Sequence, residues 1–196
     1  MTEETRTLFS ANPQPVTKRR VDADGPDFYP TPPWATAALL KNERFGKHIW
    51  EPACGDGAMA AVLREFGHEV LATDLIYRGH GEGGRDFLTE QFTTSRDIVT
   101  NPPYNLAEQF VHKAMAMGAP KAAFLLRLAF LESARRYESI WSKTPPARVW
   151  VFSERITFYP NGERTGGSGT TAYGWFVWDR SHVGGTELKW LTPGER

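Results

Sequence analysis

Short apolar segments alternate with longer amphipathic segments along most of this chain. The short segments are rich in β-branched and aromatic residues, which is typical of buried strands, and the longer ones repeat their apolar positions at helical spacing. Strands are predicted at KHIWEPAC, HEVLATDL, RDIVT, KAAFLLRLAF, ARVWVF and AYGWFVWD. Helices are predicted at 34–40, GAMAAVLREFG, LAEQFVHKAMAMG and ESARRYESIW. The alternation predicts an α/β fold in which helices cover both faces of a mostly parallel sheet.

The two ends of the chain are predicted to lie outside the folded domain. Residues 1–26 are polar, contain prolines and show no hydrophobic period, so they are expected to form a flexible N-terminal arm. The domain is assigned to residues 27–180, and residues 181–196 are assigned to a C-terminal tail. Ligands of parallel sheets bind beyond the carboxyl ends of the strands, which directs attention to the residues that follow each strand.

The composition excludes several classes of protein. Apolar residues make up 40% of the 196 residues and the formal net charge is zero, so any contact with nucleic acid must use local basic clusters. The single cysteine excludes an internal disulfide, and no cysteine–histidine spacing indicates a metal site. No segment is long and apolar enough to cross a membrane, and the N-terminus is unlike a secretory signal. A cytoplasmic protein without a membrane contact is the simplest expectation.

A glycine-rich loop follows the first predicted strand in the segment EPACGDGAMA. Gly55, Gly57 and Ala60 match the pattern G-x-G-x-x-G/A between a strand and a helix. Gly55 would allow a tight turn, and Gly57 would let a ligand approach the backbone. Asp74 lies 19 residues after Gly55, at the end of the second strand, where an acid accepts hydrogen bonds from ribose hydroxyls. Together these features predict a site for a nucleoside cofactor.

Two acids in this region indicate the charge of that cofactor. Glu51 precedes the loop and Asp56 lies within it. A pyrophosphate cofactor such as NAD is anionic and favours a helix N-terminus without carboxylates. S-adenosylmethionine carries a sulfonium and an ammonium group, so its positive charges suit the two acids. The same acids surround Cys54, which is therefore expected to be a small residue in a tight turn rather than a nucleophile.

An acid and an aromatic residue, Asp86 and Phe87, are expected at the end of a third strand. Such a pair could bind the exocyclic amine of an adenine and cover its face. The alternative is a helix cap beside a core phenylalanine, and the sequence leaves both interpretations open.

The segment DIVTNPPYN joins an apolar strand to a rigid turn. Pro102 and Pro103 fix the backbone and lack N–H groups, so the turn offers carbonyl oxygens with few competing donors. With the carboxamide of Asn101, the turn is predicted to bind an amino group that donates two N–H bonds, and Tyr104 adds a flat face for stacking. An aromatic amine held in this way can direct its lone pair at a sulfonium methyl group placed in line. If the amine belongs to a nucleic-acid base, that base must first leave its stack in the nucleic acid.

These motifs, in this order, resemble those of S-adenosylmethionine-dependent amino methyltransferases of DNA. The resemblance rests on EPACGDG, the acid of ATD, RDF and DIVTNPPY, and it covers residues 27–180. The NPPY form resembles the adenine-N6 subgroup, and AAFLLRLAFLESARR with RVWVFSERITF is similar to small phage and prophage members. The resemblance implies a Rossmann-like class I methyltransferase fold, a seven-stranded sheet whose last strand, AYGWFVWD, is antiparallel. It also implies methyl transfer to the N6 amine of a flipped-out adenine in DNA.

The resemblance extends to the residues of the site. The segment DFYPTPP looks like the part of those enzymes that closes over the methionine portion of the cofactor. The residues then expected to bind S-adenosylmethionine are Tyr29, Thr31, Pro32, Glu51, Pro52, Ala53, Gly55, Asp56, Gly57, Asp74, Leu75, Asp86, Phe87 and Asn101. The residues expected at the reacting amine are Asn101, Pro102, Pro103 and Tyr104. Larger members carry a separate target-recognition domain, for which this chain has no room. Sequence preference is therefore expected to be loose, or to come from a loop, a recognition partner or a homodimer.

A long segment without predicted structure, SERITFYPNGERTGGSGTT, lies between the last two predicted strands. Loops of this length are usually functional or disordered. Arg155 and Arg164 are candidate contacts to DNA, and by resemblance Phe158 would stack on the flipped base. Arg127, at a strand end near the predicted site, is a candidate contact to a phosphate. An ordinary flexible hairpin is the alternative.

Three other functions fit parts of this pattern. NPPY methyltransferases also modify RNA bases and a glutamine side chain of translation release factors, although the protein-modifying relatives usually carry an extra N-terminal helical domain. A nucleotide-binding module that has lost catalysis would not need the intact Asn101 or the loop glycines. An NAD-dependent oxidoreductase would leave the NPPY turn unexplained. A DNA adenine-N6 methyltransferase accounts for the largest number of features.

Overall fold

One seven-stranded sheet organises the described part of the chain, residues 28–159 and 169–192 of a computed structural model. Its strands are β1 (His48–Glu51), β2 (Glu69–Ala72), β3 (Asp97–Thr100), β4 (Lys121–Arg127), β5 (Arg148–Phe152), β6 (Tyr173–Asp179) and β7 (Glu187–Leu191). They lie side by side in the order β2-β1-β3-β4-β6-β5-β7. The predicted N-terminal arm lies outside the described residues.

Most strands of the sheet run in the same direction. Strand β1 pairs in parallel with β2 and β3, β3 with β4, and β5 with β7. Strand β6 is antiparallel to both of its neighbours, β4 and β5. The reversed strand is therefore the AYGWFVWD segment, and the predicted seven-stranded, mostly parallel sheet is confirmed.

Two strands differ from the prediction. The strand predicted to end at Asp86 is absent. The structure has a loop there, with one isolated bridge between Thr73 and Glu82. The loop contains four glycines between residues 79 and 84, and glycine weakens a strand because it brings no side chain to pack. The seventh strand is instead β7, which lies in the segment assigned to the C-terminal tail. Only one end of β7 is buried, so its hydrophobic pattern is weak in the sequence.

Helices cover both faces of the sheet, as predicted. They are α1 (Pro33–Asn42), α2 (Ala58–Glu65), α3 (Ala107–Ala116) and the short α4 (Ala134–Arg136), which continues into a π-helical turn, Tyr137–Trp141. Helices α1 and α2 contribute to the core on one face, and α3 contributes to the core on the other. The apolar face of α3 is buried at Phe110, Val111 and Ala114. None of the described helices is long and apolar enough to cross a membrane.

A buried cluster of charges closes the amino ends of the parallel strands. The carboxylate of Glu43 accepts hydrogen bonds from Lys121 Nζ at 2.9 Å and from Arg148 Nε at 2.7 Å. The indole of Trp150 donates to it at 3.0 Å, and Asp179 pairs with Arg148 at 2.6 Å. Burial by itself would raise the pKa of Glu43, but the hydrogen bonds from Arg148 and Lys121 hold that pKa below its ordinary value. This end of the sheet is tied together by ion pairs, and the opposite end is left for the site.

Candidate active site

A cavity of about 740 Å³ lies at the carboxyl ends of β1, β2 and β3, a volume in the range of small-molecule sites. Most of the residues predicted to bind a cofactor line it: Tyr29, Thr31, Glu51, Pro52, Ala53, Gly55, Asp56, Asp74, Leu75, Asp86, Phe87 and Asn101. The other predicted residues in its wall are Pro102, Pro103, Tyr104 and Arg127. Tertiary structure thus brings the glycine loop, the acid after β2, the RDF segment and the NPPY turn around one space.

The glycine loop is held in place by Asp74. Its Oδ2 accepts a hydrogen bond from the Gly55 amide at 2.8 Å, and its Oδ1 accepts one from the Ile76 amide at 2.8 Å. Each carboxylate oxygen has a second acceptor position, so the side chain can still accept hydrogen bonds from a hydroxyl pair. Asp74 therefore holds the glycine loop through the Gly55 amide, and it does so at the position where the sequence predicts a contact to ribose.

The two loop glycines face different neighbours. A Cβ atom on Gly55 would lie 2.3 Å from Cε2 of Phe28, so the N-terminal segment packs directly onto this glycine. A Cβ atom on Gly57 would lie 2.3 Å from the His80 ring, and Gly57 does not line the cavity. The close approach that the sequence assigned to a ligand at Gly57 is made by His80. Pro32 also lies outside the cavity wall, where its carbonyl accepts the first hydrogen bond of α1, from Ala35.

Glu51 places a buried carboxyl group in the cavity wall. Its side chain is 2% exposed, and Oε2 has no hydrogen-bond partner within the described ranges. Burial raises the pKa of Glu51 well above its ordinary value; Arg64 opposes this effect, whereas Asp56 and Asp74 add to it. A cationic ligand would supply the partner that Oε2 lacks and would favour the ionised carboxylate.

Cys54 lies in the same loop, and its thiol is neutral. It is 4% exposed, and burial, with the nearby charges of Glu51 and Asp74, raises its pKa to about 12. Only the thiolate is a good nucleophile, so this side chain is unsuited to nucleophilic catalysis. Its small size fits a crowded turn, because Sγ lies 3.0 Å from the position of a Cβ atom on Gly81.

Strand β3 delivers Asn101 to the cavity. All four residues of β3 are buried, and the side chain of Asn101 donates from Nδ2 to Thr31 Oγ1 at 3.1 Å. Its carbonyl oxygen Oδ1 is buried and has no hydrogen-bond partner in the part of the chain that the structure describes. A lone buried acceptor, next to two prolines that lack N–H groups, is arranged to receive a donor from a ligand.

Tyr104 lies between a cation and a second aromatic ring. The Arg127 guanidinium carbon is 4.7 Å from the Tyr104 ring centroid, and the Tyr173 ring lies 5.7 Å away. Phe158 packs edge-on against Tyr173 at 4.9 Å and does not line the cavity. Arg155 also lies outside the cavity wall, where it donates to the carbonyl of Thr170 at 3.0 Å. Arg164 lies outside the described residues.

Asp86 and Phe87 have the capping and core contacts of the second interpretation, and adenine binding stays a prediction. Oδ1 of Asp86 accepts a hydrogen bond from the Leu88 amide at 2.9 Å, so this acid caps a turn. Phe87 is 2% exposed and packs against Trp50 at 5.2 Å and Phe110 at 4.8 Å. Both residues nevertheless line the cavity, so capping and core packing leave them available to a ligand.

Several cavity residues were not predicted from the sequence. They are Phe28, Pro30, Ala58, Met59, Ile76, Arg78, Arg85, Leu88, Asn105, Leu106 and Phe110, and Cys54, which was predicted only as a turn residue. Phe28 lies within the motif DFYPTPP and Leu88 directly follows RDF, so their place beside the predicted site residues was an available signal. Arg78 is recognisable only in the fold, where it pairs with Asp74 at 3.6 Å and lies over the Phe28 ring at 4.6 Å.

Neither the comparison with protein-family models nor the search of curated proteins finds a match to this chain. Solved structures do match. A modification subunit of a putative type I restriction enzyme from Vibrio vulnificus YJ016 aligns with a TM-score of 0.58 at 17% identity, over 89% of this chain and 49% of that one. A putative class I S-adenosylmethionine-dependent methyltransferase from Listeria monocytogenes aligns with a TM-score of 0.55 at 13% identity, over 82% of this chain and 65% of that one.

A putative RNA methyltransferase from Pyrococcus horikoshii is also similar, with a TM-score of 0.54 at 14% identity, over 75% of this chain and 81% of that one. These identities are low, and the chain spans about half of the Vibrio subunit, so the likeness establishes the fold. The predicted Rossmann-like class I methyltransferase fold is thereby confirmed.

Proposed function

We propose that this protein transfers a methyl group from S-adenosylmethionine to the exocyclic N6 amine of a flipped-out adenine in DNA. The observation that carries the proposal is the carboxamide of Asn101. Its carbonyl oxygen is buried at the cavity and unpartnered within the described residues, and Pro102 and Pro103 beside it add no N–H donor. An amine that donates two hydrogen bonds satisfies the acceptors of this turn.

The cavity has the side chains that the cofactor requires. Oε2 of Glu51, which has no partner among the described residues, suits a cationic group, and Asp74 lies where ribose hydroxyls would bind. Asp86 and Phe87 suit an adenine ring, and Tyr29 and Thr31 complete the wall. When bound, the cofactor supplies an electrophilic methyl group, which passes to the amine nitrogen as the carbon–sulfur bond breaks and the nitrogen loses a proton.

The residues of this chain act by positioning the amine. Hydrogen bonds from the amine to Asn101 Oδ1 and to the Pro102 carbonyl would draw the nitrogen toward tetrahedral geometry, which frees its lone pair for attack. Asn101 Oδ1 already lacks a partner among the described residues before the substrate arrives, so little reorganisation of this acceptor is needed. Tyr104 offers a ring on which the flipped base would stack.

DNA is the favoured substrate because a similar structure is described as a modification subunit of a restriction enzyme. RNA is the second candidate, since another similar structure is described as a putative RNA methyltransferase. Both substrates present the same adenine amine, so the site chemistry is common to them. Sequence preference would come from a loop of this chain or from a recognition partner.

The test is transfer of a radiolabelled methyl group from S-adenosylmethionine to unmethylated duplex DNA, with RNA in parallel. Nucleosides from the product would be identified by mass spectrometry. Asn101→Ala is expected to abolish labelling, whereas Asn42→Ala, at the end of α1 and away from the cavity, is the matched control. N6-methyladenine in DNA that disappears only in Asn101→Ala would support the proposal. Label in RNA alone would transfer it to the second candidate, and no label despite cofactor binding would refute it.

A further inference from the structure

The orientation of the Asn101 carboxamide is linked to a residue far away in the sequence. Thr31 lies 70 positions earlier, and its Oγ1 accepts the hydrogen bond from Asn101 Nδ2 at 3.1 Å. The Thr31 side chain is buried, with 5% of the residue exposed. Within residues 28–159 and 169–192, the carboxamide is held by this hydrogen bond from Nδ2, and its Oδ1 has no hydrogen-bond partner.

The direction of this hydrogen bond matters for the proposed reaction. A carboxamide turned by half a revolution exchanges its oxygen and its nitrogen, and only the oxygen can accept a hydrogen bond from an amine. With Nδ2 held at Thr31, Oδ1 is the atom left to the cavity, where it is buried and unpartnered among the described side chains. A threonine hydroxyl can donate as well as accept, so its effect is to anchor the carboxamide at this place; without it, the side chain would lose the anchor and could rotate away from the orientation that the structure shows.

The Thr31 hydroxyl is itself held by rigid surroundings. Prolines 30 and 32 flank it and restrict the backbone on both sides. The Pro32 carbonyl accepts the Ala35 amide at 2.9 Å, which starts α1 directly after Thr31. Helix α1 is in turn anchored to the sheet in the protein interior, where Trp175 on β6 donates its indole N–H to the Ala35 carbonyl at 2.9 Å. The position of the hydroxyl thus depends on a packed helix and not on a free loop.

We propose that Thr31 is a positioning residue for methyl transfer: its hydroxyl holds the Asn101 carboxamide so that the carbonyl oxygen faces the amine. The sequence resemblance assigned Thr31 to the cofactor only, whereas the contact assigns it a role in orienting the amine acceptor. The proposal rests on the proposed function for its effect on turnover. Its structural part, the orientation of the carboxamide, is independent of any activity.

The kinetic test compares three variants. Thr31→Val removes the hydroxyl at nearly constant volume, Thr31→Ser retains it, and Thr36→Val removes a buried hydroxyl five residues further on, within α1 and outside the cavity wall. We expect Thr31→Val to lower kcat about tenfold, the rate equivalent of one lost hydrogen bond. KM for DNA and Kd for S-adenosylmethionine are expected to stay within about twofold of the wild-type values, because the substitution removes one hydroxyl and leaves the other residues of the cavity wall unchanged. Thr31→Ser and Thr36→Val are expected to retain kcat.

Three kinetic outcomes would overturn the proposal. If Thr31→Val weakened cofactor binding and kept kcat at saturating cofactor, Thr31 would act through the cofactor alone. If Thr31→Val kept all three constants, the hydroxyl would have no role. Equal losses in Thr31→Val and Thr36→Val would show a general effect of removing a buried hydroxyl from this region and would overturn the proposal as well.

A second measurement keeps the proposal separate from the proposed function. The side-chain amide protons of Asn101 would be observed by nuclear magnetic resonance and assigned by their absence in Asn101→Ala. Thr31→Val is expected to shift these signals and to speed their exchange with water, and Thr31→Ser is expected to leave them close to the wild-type positions. Unchanged signals in Thr31→Val would overturn the orienting contact. If the contact is confirmed but no substrate is methylated, the proposed function fails and the contact does not.

Discussion

The guanidinium carbon of Arg127 lies 4.7 Å from the ring centroid of Tyr104 and covers one face of that ring. Nε of Arg127 is buried and has no hydrogen-bond partner within the described ranges. A base that stacked on this face would have to displace the guanidinium group. The planar donors of arginine suit a phosphate, so a displaced Arg127 would remain useful to a nucleic-acid ligand at the same place.

Arg127→Gln is expected to weaken DNA binding by a similar factor for all sequences, because a phosphate contact carries no sequence information. The slope of log Kd against log salt concentration is expected to fall by about 1. Fluorescence anisotropy over a salt series measures both quantities. Arg180→Gln is the control, since Arg180 donates to the Met115 carbonyl at the amino end of the sheet. An unchanged salt slope in Arg127→Gln would exclude the phosphate contact.

The raised pKa of Glu51 predicts that cofactor affinity depends on pH. Below this raised pKa the free protein holds Glu51 as a neutral acid, and a cationic cofactor favours the ionised form. Binding therefore releases a proton, and affinity is expected to increase as pH rises above the ordinary value of 4.5 and to level off above the pKa in the free protein. Calorimetry in buffers of different ionisation enthalpy measures the proton release.

Glu51→Gln is the matched variant for this linkage. It keeps the shape of the side chain and is expected to remove the pH dependence of S-adenosylmethionine binding. Adenosine, which has no cationic group, is expected to show no such dependence with either protein. Because a raised pKa costs the folded state stability as pH rises, Glu51→Gln is also expected to stabilise the free protein at neutral pH. A pH-dependent affinity that persisted in Glu51→Gln would place the titrating group elsewhere.

Gly55→Ala is expected to weaken S-adenosylmethionine binding by at least about tenfold, the effect of losing roughly 1.4 kcal/mol. The new Cβ atom would lie 2.3 Å from Phe28, which must then leave the cavity wall. Gly67→Ala separates this effect from backbone strain. Both glycines have positive φ angles, +56° and +91°, but a Cβ atom on Gly67 meets nothing within 4 Å. Equal loss of cofactor affinity in the two variants, measured by calorimetry, would contradict the role of Phe28.

Glu43→Gln is expected to destabilise the protein by about 3 kcal/mol at neutral pH, because it leaves Lys121 and Arg148 buried with too few negative partners. The lowered pKa of Glu43 means that its contribution is present above 4.5 and is lost as pH falls through the lower pKa of the folded state. The variant is therefore expected to show a shallower loss of stability in acid. Urea unfolding over a pH series measures both effects.

The control for this cluster is Glu69→Gln, whose exposed partner Lys47 lies 2.7 Å away. A surface pair of this kind is expected to leave stability unchanged. Methyl transfer by folded Glu43→Gln is expected to equal that of the wild type, since the cluster lies at the opposite end of the sheet from the cavity. A variant as stable as the wild type would show that the cluster does not stabilise the fold.

The sequence by itself determined the order of most helices and strands and the residues of the glycine loop and the NPPY turn. These features depend on periodicity and turn chemistry within a few neighbouring residues, so they are visible locally. The helix predicted at LAEQFVHKAMAMG is found as α3 for this reason, and Asp74 lies beside Gly55 as the motif spacing indicates. The prediction of a strand before Asp86 was wrong, because an acid followed by an aromatic residue is also what a capped turn requires.

Only the tertiary structure decided which distant residues meet. The contact between Thr31 and Asn101 spans 70 positions, and His80 fills the space beside Gly57. Strand β7 became the edge of the sheet through its pairing with β5. Such contacts are set by how whole elements pack, and their energies are shared among many side chains. A local pattern therefore contains the candidate chemistry of this protein, while packing sets the direction in which each group points.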